Sequence, residues 1–490
     1  MNAESRNDIP DIEVDRSLEP APETIRSWVQ AAVARIVSHL ESLPDQPLGY
    51  DPSAIPRRRT EPVPETGMDL ERLLDHLFEE AIPASFNTAS PGYLGYIPGG
   101  GLFHAALADL ISSSINRYVG VYVAAPRLVR LEADVVGWFA NMMGFPESAR
   151  GVLTTGGSMS NFTALVTARQ RLLPEDFLLG TLYASDQAHH SVWKAARLAG
   201  FPRDSLRIIP TDVRRSMRTD VLRRWITRDR RRDRSPFLVV ASAGTTNTGA
   251  VDDLEELAEI CREEALWLHV DAAYGGFFRL TRTGRQVLAG MERADSITLD
   301  PHKGLFLPYG TGALLVRDGG ALEAAHAITA DYMPDMPAGK DKADFDFSQH
   351  SMELSRSFRG LRVWLPLKLH GIGPFITNLE EKLALTRRAA EDLHATEGIE
   401  IVAEPQLSIL AFRLVRQGLS PAAVDALNKR LLEKILARQR VFLTATTVEG
   451  RFVIRLCILS FRTHQDRVDE CIQIIREEAK RLLRPSRGDA

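Results

Sequence analysis

Lysine is scarce in this chain, with nine residues against 51 arginines, and cysteine is scarcer, with only Cys261, Cys457 and Cys471. Three scattered cysteines are too few for a disulfide framework or a zinc site, so reduced thiols in a cytoplasmic protein are expected. No stretch approaches the roughly 18 uninterrupted apolar residues of a membrane span. The N-terminus, MNAESRNDIPDIEVDRSLEP, is acidic and has no apolar centre, so neither a signal peptide nor a transit peptide is expected. Net charge is also lacking: −4 over 490 residues gives no global attraction to nucleic acid or an anionic membrane. What remains is an ordinary globular composition, 44% hydrophobic and 25% charged, long enough for two or three domains.

The scarcity of lysine gives weight to one of them. Lys303 lies in SITLDPHKGLFLPYGTGALLV (296–316), a charged knot between two apolar runs. Elsewhere the chain uses arginine as its generic cation. An amine can lose its proton and condense with an aldehyde, which a guanidinium cannot do.

The organisation is α/β. Residues 1–20 are expected to be disordered, and residues 1–85 to form a helical arm from IRSWVQAAVARIVSHL and MDLERLLDHLFEEA around a proline-rich connector. Such an arm cannot bury its apolar stripe alone, so packing on the body or on a second subunit is expected. Residues 86–375 are expected to form a large domain. Within it six apolar runs read as strands: 180–184, 206–209, 236–243, 265–270, 296–299 and 312–316. Continuous apolar runs alternating with helices predict a mostly parallel sheet buried on both faces. Its ligands belong at the carboxyl ends of the strands. Residues 376–490 alternate helices with the strands IEIVAE, LSILAFRLV and FVIRLCILS, a smaller α+β domain. The arginine-rich segment 213–235 invites a nucleic-acid reading, but interspersed Asp and the spacing of Val221, Leu222, Trp225 and Ile226 favour a solvated helix face.

Candidate chemistry gathers at the expected strand ends. Asp271 follows the strand ALWLHV, and Lys303 comes 32 residues later, just past SITL. One βαβ unit takes about 30 residues, so both side chains can project from one edge of neighbouring strands. An imine-forming lysine and a carboxylate are the pair a pyridoxal phosphate site needs: one holds the aldehyde, the other keeps the ring nitrogen protonated. In TTGGSMSNFTALVTARQ, Gly157 and Ser158 sit at a helix start, either as an anion cradle or as a glycine turn with a serine cap. In SDQAHHSVWKAA, His189 can stack on an aromatic ring or cap the next helix, and His190 can do either. In ASAGTTNTGAVDDL, Thr245 and Thr246 either bond ring substituents or line a turn.

Together with SPGYLGYIP and SRSFRGLRVW, these segments closely resemble the pyridoxal-phosphate-dependent group II amino-acid decarboxylases, from about residue 20 to 480. The resemblance implies fold type I (aspartate-aminotransferase-like), with a mostly parallel seven-stranded central sheet, and a homodimer with active sites at the interface. It implies pyridoxal 5'-phosphate as cofactor, Lys303 as the Schiff-base lysine and Asp271 as partner of the pyridine nitrogen. His189 would stack on the ring and take part in catalysis; Gly157, Ser158 and His302 would hold the phosphate; Thr246 and Ala273 would contact the ring. Tyr332, in the segment 328–345, matches a loop tyrosine that would protonate Cα of the quinonoid intermediate. The implied reaction is decarboxylation of an L-amino acid, aromatic ahead of acidic, to an amine and CO₂. The alternatives are an aldehyde synthase or other lyase on the same scaffold, or an inactive pyridoxal-phosphate-binding regulatory protein.

Three departures from the family pattern bear on the substrate. Asp300 stands where the family often has asparagine, and its carboxylate is expected to turn away from the phosphate or to pair with an arginine. NTA (87–89) lacks a large aromatic, while Tyr93, Tyr96 and Tyr118 keep an aromatic pocket open. Arg117 either faces the substrate, favouring a carboxylate-bearing side chain, or makes a structural pair.

Overall fold

The computed structural model describes residues 16–55, 60, 62–328 and 346–484. The chain divides into two compact units, Met1–Asn87 and Thr88–Ala490. In the first, a helix runs over Pro22–Ser42, with proline in the first turn where its missing N–H costs nothing. A second helix, Leu70–Asp75, widens into a π-helical turn over His76–Ala81. Arg35 bridges the two helices through Glu71 and Asp75. Ile25, Trp28, Val29, Val33 and Val37 recur on one face of the first helix and are exposed.

The second unit holds two sheets. The larger has seven strands: β1 (Arg150–Thr154), β2 (Gly180–Ser185), β3 (Leu206–Ile209), β4 (Ser235–Ser242), β5 (Trp267–Asp271), β6 (Ser296–Leu299) and β7 (Gly312–Val316). Their spatial order is β1-β7-β6-β5-β4-β2-β3. β7 runs antiparallel to both of its neighbours, and the other pairings are parallel. β7 shows why such strands read as unbroken apolar runs. Ala313 and Leu315 join one core, Leu314 and Val316 the other, so both faces are buried. The second sheet is antiparallel, in the order β10-β11-β9-β8, formed by β8 (Ile399–Ala403), β9 (Ile409–Leu414), β10 (Thr444–Val448) and β11 (Arg451–Cys457). Helices Gly373–His394, Pro421–Leu436 and Gln465–Leu483 share a core with it.

The SPGYLGYIP segment straps this sheet to the larger one. Leu94 donates its backbone N–H to Phe442 and accepts from Cys457, while Phe442 donates to Gly92. Next to it, a Cβ on Gly99 would overlap the backbone carbonyl of His302, so only glycine lets the strap come this close.

In the arginine-rich segment the helix is Thr219–Arg230, with Leu222 and Ile226 buried beneath it. Arg223 pairs with Glu263, Arg224 with Asp220 and Arg230 with Glu264. This is a solvated, largely neutralised helix face.

A buried ion pair anchors the strand that leads to the site. Arg356 meets Glu132 at 2.6 Å, both essentially inaccessible to solvent, and also donates to the carbonyl of Leu153 in β1. Arg359 donates to the same carbonyl. Arg356→Ala would strand the Glu132 carboxylate without a cation, so a loss of about 3–5 kcal/mol is expected in chemical denaturation. A loss below about 1 kcal/mol, the range of an exposed pair, would show that solvent reaches Glu132.

Candidate active site

The carboxyl ends of the parallel strands meet at one cavity of about 280 Å³. β5 and β6 pair in register, Asp271 opposite Thr298, so the chain leaves both strands on the same edge. Beyond β6 a single helical turn, Pro301–Gly304, carries His302 and Lys303. Gly157, Ser158, His189, Thr245, Thr246, Asp271, Ala273, His302 and Lys303 all line this cavity. Tyr332 lies outside the described residues. Arg117 is exposed and is not among the lining residues.

Asp300 differs from the expectation that it would turn away or meet an arginine. It starts the helical turn that carries Lys303, and three residues along such a turn bring two side chains onto one face. Its Oδ2 therefore lies 2.8 Å from Lys303 Nζ and 3.8 Å from His302 Nε2. Asp300 is only 2% exposed, and its other oxygen is buried without a hydrogen-bond partner.

At the opposite wall the 16-residue helix Gly157–Leu172 begins without a side-chain cap, so Ser158 is not the capping residue. A Cβ on Gly157 would lie 3.0 Å from both Ala273 Cβ and Asp300 Oδ2. Uncapped first-turn residues lining a cavity are suited to an anion. Both Thr245 and Thr246 line the cavity, and the Thr245 hydroxyl also holds a turn, accepting from the amide of Ala250 and meeting Thr248.

Asp271 accepts from Asn161 Nδ2 at 2.8 Å and from the amide of Ala273 at 3.2 Å. His189 meets the Ser191 hydroxyl through Nδ1 at 2.8 Å, and the same nitrogen accepts the Ser191 amide at 3.3 Å. Burial lowers the His189 pKa, and the nearby Asp271 carboxylate pulls it back up. Burial likewise lowers that of His302, opposed by Asp300; its Nδ1 lies 2.6 Å from the Thr311 carbonyl. A carboxylate, an amine, an imidazole and an uncapped helix start around one cavity fit pyridoxal phosphate: an amine for the aldehyde, an acid for the ring nitrogen, amides for the phosphate.

Sequence reasoning assigned no part to Asn161, Ser191 or His269. The available signal was helical spacing, since Asn161 lies one turn beyond Gly157 and shares its face.

Residues 52–415 match the family model described as the pyridoxal-dependent decarboxylase conserved domain. The chain is similar to an aromatic-L-amino-acid decarboxylase of Bacillus atrophaeus, 34% identical over 94% of this chain and 96% of that protein. It is 27% identical to a phenylacetaldehyde synthase of Petunia hybrida, over 88% of this chain and 89% of that one. Among solved structures, tryptophan decarboxylase of Catharanthus roseus in complex with L-tryptophan superposes with a TM-score of 0.88 at 28% identity, covering 95% of this chain and all of that one.

Proposed function

This chain belongs to the family of pyridoxal-dependent decarboxylases, and from that premise we propose that it releases the α-carboxylate of an aromatic L-amino acid as CO₂ and yields the amine. The observation that carries the reading is the convergence of Lys303 and Asp271, from neighbouring parallel strands, on one cavity. The aromatic preference rests on the similarity to the Bacillus and Catharanthus enzymes. An acidic substrate has less support, because Arg117 does not line the cavity.

Bound pyridoxal phosphate supplies an aldehyde for linkage to amines and a ring that accepts electrons. Lys303 offers the amine. Asp271 would keep a proton on the ring nitrogen. Gly157, Ser158 and His302 would hold the phosphate, Thr246 and Ala273 would contact the ring, and His189 would stack on it. Tyr332 would return a proton to the substrate's Cα.

The working form is a homodimer in the cytoplasm, with the cavity mouth at the interface. Helix Phe103–Ile115 supports the dimer: Phe103, Leu107, Leu110, Ile111 and Ile115 form an exposed stripe at helical spacing, long enough to need a partner. The similar stripe on helix Pro22–Ser42 supports a second contact.

The test is product analysis with L-tryptophan, L-DOPA, 5-hydroxytryptophan, L-phenylalanine, L-tyrosine and L-glutamate. Amine and CO₂ in equal amounts are expected from an aromatic substrate; aldehyde with ammonia and peroxide, formed at the expense of O₂, would favour the synthase chemistry of the Petunia relative. In Tyr332→Phe, cofactor binding is expected to persist while amine output falls about 10²-fold or more, the scale of a lost general acid, and aldehyde appears. Unchanged amine output removes Tyr332 from the reaction.

A further inference from the structure

We propose that Asn161 is a positioning residue: its amide ties Asp271 to His189 and fixes the neutral His189 ring with its proton on Nε2. The functional importance of the two tied groups rests on the reading above. The direction of every hydrogen bond does not, because it follows from donors and acceptors alone.

An asparagine amide can point either way, and its neighbours decide which. Asn161 Oδ1 lies 2.7 Å from Thr298 Oγ1 and 3.0 Å from His269 Nε2. Asn161 Nδ2 lies 2.8 Å from Asp271 Oδ2 and 2.9 Å from Ser191 Oγ. Turning the amide over would set its oxygen against a carboxylate, which can only accept. The nitrogen therefore faces Asp271.

His269 must then be the donor to Asn161 Oδ1 through Nε2, and the chain behind it agrees. Trp267 Nε1 lies 2.8 Å from Ser296 Oγ, and the same hydroxyl lies 2.8 Å from His269 Nδ1. Indole N–H can only donate, so Ser296 accepts from Trp267 and passes its own proton to His269 Nδ1. His269 is thereby neutral with its proton on Nε2. Burial favours the same uncharged form, pushing its pKa down to about 4.

On the other side of the amide, Ser191 Oγ accepts the second Asn161 N–H and has its own proton to place. His189 Nδ1 lies 2.8 Å away, and the Ser191 amide also donates to that nitrogen at 3.3 Å. The two donors converge on Nδ1, the hydroxyl at the shorter distance, so the hydroxyl proton is what chiefly holds this nitrogen as an acceptor. Nδ1 is therefore an acceptor, and a neutral His189 keeps its proton on Nε2. One series of donors runs Trp267, Ser296, His269, Asn161, and from Asn161 it branches to Asp271 and, through Ser191, to His189. Asp271 is its only charged member, held as an acceptor by Asn161 and Ala273.

The test uses histidine-selective ¹⁵N labelling of the full-length, cofactor-free protein and long-range ¹H–¹⁵N spectra. The His189 signals are assigned by their loss in His189→Gln. Wild type is expected to show Nδ1 without a proton and Nε2 with one; Ser191→Ala and Asn161→Ala are expected to populate the other tautomer. Asn161→Ala is also expected to bind pyridoxal phosphate about 10–100-fold more weakly, the scale on which outer hydrogen-bond partners act at metal sites. Ser191→Ala leaves the Asn161–Asp271 bond in place and serves if Asn161→Ala does not fold. A proton on Nδ1 in wild type, or a tautomer unchanged in Ser191→Ala, overturns the proposal. The tautomer is read without substrate or turnover, so absence of CO₂ release would sink the proposed function while leaving this inference standing.

Discussion

Lys303→Ala is expected to lower amine formation on the order of 10⁴-fold or more, the scale on which losing a covalent nucleophile acts. The absorbance of lysine-linked cofactor disappears with it. The side chain has a second task that must be separated from the first. In the cofactor-free chain Lys303 Nζ is the cation in contact with Asp300, a carboxylate with almost no access to water. Removing the lysine alone leaves that carboxylate, among the described residues, with His302 as its remaining ionisable partner, which burial keeps towards its neutral form. A buried carboxylate stripped of its cation costs about 3–5 kcal/mol, whereas removing both charges together is close to neutral. Lys303→Ala is thus expected to be less stable as well as inactive. The double variant Lys303→Ala/Asp300→Asn should recover most of the stability and stay inactive. Recovery of activity in the double variant would assign the loss to folding and take the covalent role from Lys303.

Asp271→Asn is expected to have the next largest effect, about a 10²–10³-fold fall in kcat, in the range for removing one preorganised electrostatic partner. The carboxylate accepts from Asn161 on one oxygen and from the Ala273 amide on the other. An asparagine side chain has only one acceptor, so either orientation sets its NH₂ against one of those donors. The variant therefore loses the charge that keeps a proton on the ring nitrogen and gains a local donor clash. Lys303 is untouched, so cofactor should still become covalently attached while turnover falls. Steady-state kinetics beside the absorbance of the linked cofactor separates the two. A kcat within threefold of wild type would show that the ring nitrogen does not depend on Asp271.

How much of this was legible in the sequence depended on burial. The runs at 180–184, 206–209, 236–243, 265–270, 296–299 and 312–316 all became strands, because strands buried on both faces have no polar side to show. Two strands escaped notice for the same reason inverted. β1, RGVLT, opens with arginine and glycine, and its apolar part is too short to stand out; Gly151 is required because β7 packs against it at Leu314. β10, TATTV, is partly exposed and rich in threonine, with no apolar run. The seventh strand of the central sheet was thus expected from family resemblance and not from periodicity.

The site divides in the same way. Residues that end strands or open helices announce themselves locally, as Asp271, Lys303, Gly157 and His189 do. Asn161 does not, because its four side-chain partners, Ser191, His269, Asp271 and Thr298, lie 30 to 137 positions away and come near only when the sheet forms. Asp300 was misread because its nearest cation was sought among the arginines. The one-turn helix Pro301–Gly304 instead brings it to Lys303, three residues on.

The most direct measurement is covalent mapping. The protein is loaded with pyridoxal phosphate, reduced with borohydride, digested, and the peptide bearing the added mass is sequenced by mass spectrometry. The account predicts modification at Lys303 alone among the nine lysines. Stoichiometric label on a different lysine, or cofactor that binds without any reducible link, would contradict it.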